Sequence, residues 1–340
     1  MRLKLAVSIV AGVSCLFAAA TVGARADGLV DPSRAGYLET FKGKKVAFVP
    51  IAMGFDLAQA WSSQLAKQAE ELGYSYVVRD PNWSTEAGAQ ALTQLIAEKP
   101  DLIVVHSPDI QSYARLLKQA EAAGIYTLQV NMKSAYVSEG YVGSDYNGLG
   151  ELAANLIVKQ CGQGSGKSGK VSIVQGVLTG GASVYQIEGV ERIFKQHPEI
   201  KVVSNQAADW DASKAKAITQ TVLQQNPDLC GVIGFWDGMD IGVGAAVKEA
   251  GKTGDVYVVT SGGGSTSACE NVNNGTFSAL ISYNAMGQGR DLNTLIKALF
   301  ETKPKPGTVK VIDYSPLTVL TKDSVKPDSC WALPTTTASK

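Results

Sequence analysis

The feature that most constrains this chain is a regular alternation of short apolar runs with longer amphipathic stretches. The apolar runs at 46–49, 102–105 and 231–235 carry almost no polar residue. Further runs lie at 74–78, 126–130, 171–174, 201–203, 256–260 and 277–282, and helical periodicity predicts helices at 56–72, 85–98, 110–123 and 147–159. Continuous apolar strands joined by crossover helices are typical of parallel sheets covered on both faces. The pattern therefore predicts an α/β fold.

An internal repeat in the sequence indicates that the chain contains two units of this α/β fold. One strand–helix unit opens at Pro100 and ends at Ala123, and a second opens at Pro227 and ends at Ala250 with the same spacing. We therefore predict two doubly wound parallel-sheet lobes. Such lobes bind a ligand between the carboxyl ends of their strands, so the residues that follow each strand are the candidate site.

The first 26 residues have the pattern of a cleavable signal peptide. Arg2 and Lys4 precede an apolar run, and small residues end at Ala26, after which we expect cleavage and export to the periplasm. Cys15 suggests a lipoprotein signal as the alternative, but Gly12 stands where such a signal normally carries leucine. The residues after the predicted cleavage site are enough for two domains of ordinary size.

The remaining sequence favours binding of a small molecule over nucleic acid or catalysis. Its net charge of about −3 gives no basic surface for nucleic acid. The glycine-rich segment 162–168 resembles a phosphate loop, but Cys161 replaces the glycine that the motif requires. His197 fits a surface turn, and His106, at a strand end, fits a site role or a structural role equally well. With no nucleophile motif beside them, we predict that the protein is not an enzyme.

Several motifs resemble the ribose-binding branch of the periplasmic sugar-binding proteins. The similarity extends from about residue 44 to about residue 320. It is carried by the segments 142–147 (VGSDYN), 174–176 (VQG), 186–189 (QIEG), 208–211 (ADWD) and 235–239 (FWDGM). The resemblance implies a type I periplasmic-binding-protein fold, in which two lobes joined by a three-strand hinge close on a sugar or a related polyol. It also implies a monomer that delivers this solute to the permease subunits of an ABC transporter.

The resemblance implies a division of the chain as well. The first lobe is expected to comprise 27–132 and 263–285, extending to about 305. The second is expected to comprise 133–262 and 306–330, followed by a tail at 331–340. The chain should cross between the lobes near 131–136, 262–265 and 283–287.

The residues that follow the strands give the expected ligand-binding set. By resemblance it comprises Phe55, Asp56, His106, Ser107, Asn131, Met132, Ser144, Gln186, Trp210, Trp236, Asp237, Ser261, Gly262 and Tyr283. A sugar offers hydroxyl groups, which need paired donors and acceptors, and apolar C–H faces, which pack on flat aromatic rings. For Trp210 the alternative is a rim aromatic, and Phe55 and Trp83 are equally compatible with packing under a loop. No metal and no cofactor is expected.

This chain departs from the sugar receptors at three places. They usually carry an Asp-Arg pair where Asn131 and Met132 stand, an Arg at Gln186 and an Asp at Gly262. Loss of these charges favours a neutral ligand with fewer hydroxyl groups, such as a linear polyol. The alternatives within the binding class are an autoinducer or a chemotaxis ligand. The remote alternatives are an exported enzyme and a lactose-repressor-like regulator, whose DNA-binding headpiece would occupy the place of the signal peptide.

Four cysteines follow the predicted cleavage site, and export to an oxidising compartment favours disulfides between them. In a sheet of order 2-1-3 the first and third strands are neighbours, which brings Cys161 and Cys230 together at the amino-terminal edge of the second sheet. Cys269 and Cys330 remain as the second pair. Four buried free thiols are the alternative.

Overall fold

The computed structural model describes residues 31–333. The predicted signal peptide at 1–26 and the end of the predicted tail, from residue 334, lie outside the described residues. The strands are β1 (Lys45–Val49), β2 (Ser75–Val78), β3 (Leu102–Val105), β4 (Tyr126–Val130), β5 (Gly140–Gly143), β6 (Lys170–Gln175), β7 (Lys201–Ala207), β8 (Gly231–Gly234), β9 (Tyr257–Gly262), β10 (Ala279–Ser282), β11 (Val311–Tyr314) and β12 (Thr318–Leu320).

Helices alternate with these strands through most of the chain. They are α1 (Pro32–Phe41), α2 (Asp56–Leu72), α3 (Thr85–Glu98), α4 (Ala114–Ala122), α5 (Tyr146–Cys161), α6 (Gly181–Phe194), α7 (Ala212–Gln225), α8 (Asp237–Glu249), α9 (Thr266–Asn273) and α10 (Ala285–Thr302). Helix α2 has the predicted bounds because Gly73, at a φ of 73°, ends it in the left-handed conformation. Within residues 31–333, no helix combines the length and the apolar character needed to cross a membrane.

The strands form two six-stranded sheets of the same design. Their orders are β11-β5-β4-β3-β1-β2 and β12-β10-β9-β8-β6-β7, and every neighbouring pair is parallel except β10 with β12. The central strands β3 and β8 are buried along their whole length, as strands covered by helices on both faces must be. The predicted fold of two doubly wound parallel-sheet lobes is confirmed.

The chain crosses between the lobes at residues 144–145, 283–284 and 315–317. Helix α5, after the first crossing, packs on α6 and β8, whereas α10, after the second, packs on α2 and β4. Of the three predicted crossings, only 283–287 includes an observed one. The other two were placed too early in the chain or on the wrong connection.

The predicted lobe boundaries are correspondingly wrong for three strands. Strand β5 was assigned to the second lobe but pairs with β4 in the first sheet, and β10 was assigned to the first lobe but pairs with β9 in the second. Strand β11, also assigned to the second lobe, pairs with β5 in the first. The physical reason is that the fourth strand of each sheet has backbone N–H and C=O groups at its free edge, and a fifth parallel strand pairs with them. In the first sheet that strand is the short segment Gly140–Gly143, fully buried despite its two terminal glycines.

Two disulfides reinforce the second lobe, and both have the predicted pairing. Cys161, at the end of α5, bonds to Cys230, directly before β8, so this bridge lies at the amino-terminal edge of the second sheet. Cys269, in α9, bonds to Cys330 and ties the segment after β12 to the same lobe. The sequence separations are 69 and 61 residues. Each bridge therefore constrains a long loop in the unfolded chain.

Replacing Cys161 and Cys230 together with serine should lower the free energy of unfolding by about 2–4 kcal/mol, because the loop regains its conformational entropy in the unfolded chain. Urea denaturation followed by circular dichroism measures this difference. The double variant Cys269→Ser/Cys330→Ser, with a loop of similar length, is the matched comparison. Unchanged stability in both double variants would show that neither bridge constrains the unfolded chain.

Candidate ligand-binding site

A cavity lies between the lobes, at the carboxyl ends of strands from both sheets. It is lined by Ile51, Phe55, Leu57, Trp83, His106, Asn131, Met132, Tyr146, Ala182, Trp210, Phe235, Trp236 and Tyr283. The first lobe contributes residues that follow β1, β2, β3 and β4, and the second contributes residues that follow β6, β7 and β8. Tyr146 and Tyr283 stand beside two of the crossings. The cavity therefore lies against the hinge.

Aromatic rings form the walls of this cavity and join the two lobes. The ring centroid of Phe55, in the first lobe, lies 5.7 Å from that of Trp236 in the second, in an edge-to-face arrangement. Trp83 stacks at 5.3 Å on the other side of Phe55, and Trp210 lies 6.3 Å from Trp236. The backbone nitrogen of Ile110 also donates across the cleft to the carbonyl oxygen of Thr179, at 3.1 Å. These contacts show that the lobes are closed on each other.

Two glycines allow the tryptophans of the second lobe to lie against the backbone. A Cβ atom at position 176 would lie 2.1 Å from the ring of Trp210, and one at position 238 would lie 2.4 Å from the ring of Trp236. Any larger residue at Gly176 or Gly238 would therefore push the indole into the cavity. Gly176 belongs to the family motif 174–176, so the structure supplies a physical reason for that glycine.

Several buried polar atoms in the cavity lining or on nearby residues have no hydrogen-bond partner among the described residues. They are Nδ1 and Nε2 of His106, Nδ2 of Asn131, Nε2 and Oε1 of Gln186, Nε1 of Trp236, and Oδ2 of Asp237. Burial of such a group without a partner costs about 1–3 kcal/mol. A ligand that brings its own donors and acceptors offsets this cost, which is the signature of a polar binding site.

The backbone and side chain of Asn131 are held in place by two tyrosines. The hydroxyl of Tyr146 donates to Oδ1 of Asn131 at 2.9 Å, and the hydroxyl of Tyr141 donates to its carbonyl oxygen. Asn131 itself has a φ of 60°, in the left-handed region that non-glycine residues rarely adopt. Because Oδ1 is occupied, the amide nitrogen is the group left for a ligand that enters the cavity.

Burial sets the protonation of an imidazole in the cavity lining and of a carboxyl near it. It lowers the pKa of His106 to about 3, so the imidazole is neutral at pH 7, with one nitrogen that donates and one that accepts. Burial likewise raises the pKa of the Asp237 carboxyl well above its usual range, and the nearby carboxylate of Asp56 adds to the rise. The site therefore presents Asp237 as a carboxyl for which the charged form is unfavourable.

Gly262 makes room for that carboxyl. A Cβ atom at position 262 would lie 2.2 Å from Cγ of Asp237, so only glycine leaves the carboxyl where it is. Oδ1 of Asp237 accepts a hydrogen bond from the nitrogen of Gly238 at 2.8 Å, which leaves Oδ2 as the free acceptor. Sugar receptors usually carry an aspartate at the position of Gly262. In this chain an aspartate there would collide with the carboxyl of Asp237.

Half of the expected ligand-binding residues line the cavity. They are Phe55, His106, Asn131, Met132, Trp210, Trp236 and Tyr283. Among those that do not, Ser261 donates to the carbonyl oxygen of Phe235 at 3.0 Å, and Ser107 donates to Oε1 of Gln129 at 3.4 Å. These two hydroxyls stabilise the strand ends. The other residues outside the lining are Asp56, Ser144, Gln186, Asp237 and Gly262.

The cavity also contains residues that sequence reasoning did not place in the ligand-binding set. Tyr146 is the first residue of α5, and Phe235 directly follows β8. Both belong to motifs that carried the family resemblance, so that resemblance contained a signal for them. Ile51, Leu57 and Ala182 are small or aliphatic and give no signal that distinguishes them from core residues. Trp83 was left open between the site and a packing role, and the structure places it in the lining.

The fold and the site together define a two-lobed protein with a cavity between its lobes. The family of periplasmic binding protein domains matches residues 46–304, and this chain belongs to that family.

Curated relatives include sugar-binding proteins of other bacteria. A D-apiose import binding protein of Actinobacillus succinogenes is 31% identical over 199 residues, which cover 57% of this chain and 62% of the relative. The D-allose-binding periplasmic protein of Escherichia coli is 32% identical over 178 residues, which cover 52% of this chain and 55% of the relative. The chain thus matches less than two thirds of the length of these relatives.

Solved structures match over more of the chain but with lower identity. An ABC transporter solute-binding protein from Agrobacterium vitis with bound α-D-tagatopyranose has a TM-score of 0.74 at 22% identity, covering 84% of this chain and 97% of the other. A solute-binding protein from Burkholderia graminis in complex with D-arabinose also has a TM-score of 0.74, at 21% identity, covering 83% and 96%. At this identity the comparison supports the fold.

Replacing Asp237 with asparagine should stabilise the ligand-free protein at neutral pH by roughly 1–3 kcal/mol, because a charged group is no longer buried. A carboxyl whose folded-state pKa is raised contributes its stability below the unfolded-state value, near 4, and loses it as the pH rises through the folded-state value. The advantage of Asp237→Asn should therefore grow from about pH 4 upward. Thermal unfolding between pH 4 and 8 measures it.

The matched control is Asp255→Asn, which changes an exposed aspartate of the same lobe. It should leave the melting temperature nearly unchanged across the same pH range. Equal effects of the two substitutions would contradict the assignment of a buried, destabilised charge to Asp237.

Proposed function

We propose that the protein captures a neutral sugar or polyol in its interlobe cleft and delivers it to the permease subunits of an ABC importer. The observation that carries this proposal is the combination of aromatic walls with unpartnered, uncharged polar atoms in one cavity between the lobes. Aromatic faces pack on the C–H face of a sugar, and the polar atoms of His106, Asn131 and Trp236 suit its hydroxyl groups.

The charge of the lining supports a neutral ligand. None of the described residues that line the cavity is a lysine or an arginine, so a ligand anion would lack a charged partner there. The Asp237 carboxyl can accept a hydrogen bond from a hydroxyl group through Oδ2. When it is protonated, the same carboxyl can also donate a hydrogen bond. A hydroxyl group of a neutral ligand can serve as the partner in either case, because it both donates and accepts.

The comparisons support the same class of ligand. The relatives named above are described as binding proteins for D-apiose and D-allose, and others are described as ribose import binding proteins. Transfer of that description to this chain is a proposal, as are a periplasmic location, a monomeric state and docking to a permease. Reversible capture requires the lobes to open and close about the three crossings. Binding and release, without chemical conversion, then constitute the activity.

Replacing Trp210 or Trp236 with alanine should weaken ligand binding by roughly 1–3 kcal/mol through the loss of apolar burial, with little loss of folding. Isothermal titration calorimetry measures the affinity, and circular dichroism checks the fold. Trp210→Phe is the control, because it retains an aromatic face and should retain most of the affinity. Full affinity in both alanine variants would remove the aromatic walls from the binding mechanism.

A thermal-shift screen should identify neutral ligands when pentoses, hexoses, linear polyols, amino acids and nucleosides are compared. The affinity of the best compound should change little between low and high salt, because no ion pair forms and screening has no charge to act on. Titration of that compound at both salt concentrations provides the measurement. A screen that returns only charged compounds would contradict the proposal.

A further inference from the structure

Trp83 and Trp210 occupy equivalent positions in the two lobes. Trp83 lies between β2 and α3, directly before Ser84, whose side chain caps the helix. Trp210 lies between β7 and α7, directly before Asp211, which caps that helix in the same way. Strands β2 and β7 have the same place at one edge of their sheets. The two tryptophans are therefore counterparts, contributed to the cleft from opposite sides.

Both tryptophans have an unfavourable backbone conformation, and so does the residue before each. The φ angles are 48° at Asn82 and 69° at Trp83, and 54° at Asp209 and 64° at Trp210. Left-handed conformations of non-glycine residues cost about 1–3 kcal/mol each and cluster at functional sites. The same costly pair at equivalent positions indicates that a particular placement of the indole ring is required in both lobes.

The two indoles stand where the inner cavity opens into an outer chamber. The chamber is open to solvent and shares Ile51, Phe55, Trp83, Trp210 and Trp236 with the lining of the inner cavity. Trp83 remains 47% exposed although the lobes are closed. A large aromatic surface is thus available in the chamber.

The acidic groups around the chamber are already used by the protein. Oδ1 of Asp109 accepts hydrogen bonds from the backbone nitrogens of Gln111 and Ser112, both at 2.7 Å. Asp209 forms an ion pair with Lys214 at 2.9 Å, and Asp211 caps α7. What the chamber offers a ligand is therefore chiefly the aromatic faces. Such faces bind the C–H side of a sugar ring or an apolar substituent.

We propose that the outer chamber is a second subsite, in which Trp83 and Trp210 contact a second ring attached to the sugar in the inner cavity. The ligand is then a disaccharide or another glycoside rather than a single sugar. This inference rests on the proposed function and sharpens its ligand class. A single sugar in the inner cavity would leave the exposed surface of Trp83 without a contact.

The test compares each monosaccharide with its extended form. D-Glucose, D-galactose, D-xylose and D-ribose are titrated beside their phenyl glycosides, together with cellobiose and lactose, by isothermal titration calorimetry. We expect at least one extended compound to bind tenfold or more tightly than its monosaccharide. In Trp83→Asn this ratio should fall to nearly one, because the indole is lost while asparagine still tolerates the left-handed backbone.

His106→Gln is the matched control, since His106 lines the inner cavity but not the outer chamber, and it should weaken the monosaccharide and its glycoside alike. Monosaccharides that bind as tightly as every extended form would overturn the subsite, and so would an unchanged ratio in Trp83→Asn. Absence of binding by all these carbohydrates and by the linear polyols of the thermal-shift screen would instead reject the proposed function, and with it the subsite. Failure of the subsite alone is thus distinguishable from failure of sugar binding.

Discussion

The site depends on the three crossings between the lobes, because the cavity lies directly against them. Tyr146 and Tyr283 belong both to the crossings and to the cavity lining, so a rotation of one lobe on the other changes the cavity itself. The unpartnered atoms of His106, Asn131 and Trp236 are buried because the lobes are closed. Opening returns them to water, and a ligand replaces that water on closure. Movement at the hinge and the shape of the binding site are therefore coupled.

The fold could be predicted from the sequence wherever a strand has a strong local signal. The runs at β3 and β8 are continuously apolar, and the order of strands that follows from crossover helices was enough to pair Cys161 with Cys230. Strand β5 was misplaced because it is short, begins and ends with glycine, and pairs on one side with β11, which is distant in sequence. The lobe boundaries follow from such pairings, so no local pattern specifies them.

The sequence also predicted part of the site, namely the residues whose position follows from the strand that precedes them. Positions after strands gave the aromatic walls, because parallel strands end at the same edge of a sheet. The collision between a side chain at Gly262 and the Asp237 carboxyl, in contrast, exists only in three dimensions. The positive φ angles of Trp83 and Trp210 also lacked a sequence signal, since neither is a glycine or an asparagine. Strained backbone conformations and polar groups without partners cluster at functional sites, where they lower the stability of the folded protein.

The last two strands have a consequence for the order in which the protein is synthesised and folded. Strand β11 is an edge strand of the first sheet and β12 an edge strand of the second, and both come from the last tenth of the chain that the structure describes. A growing polypeptide therefore cannot finish either sheet until this segment has emerged from the ribosome. The nascent chain keeps an open sheet edge in both lobes for nearly the whole of its synthesis, which delays tight folding. A protein that must be threaded through a narrow translocation channel before it folds benefits from such a delay.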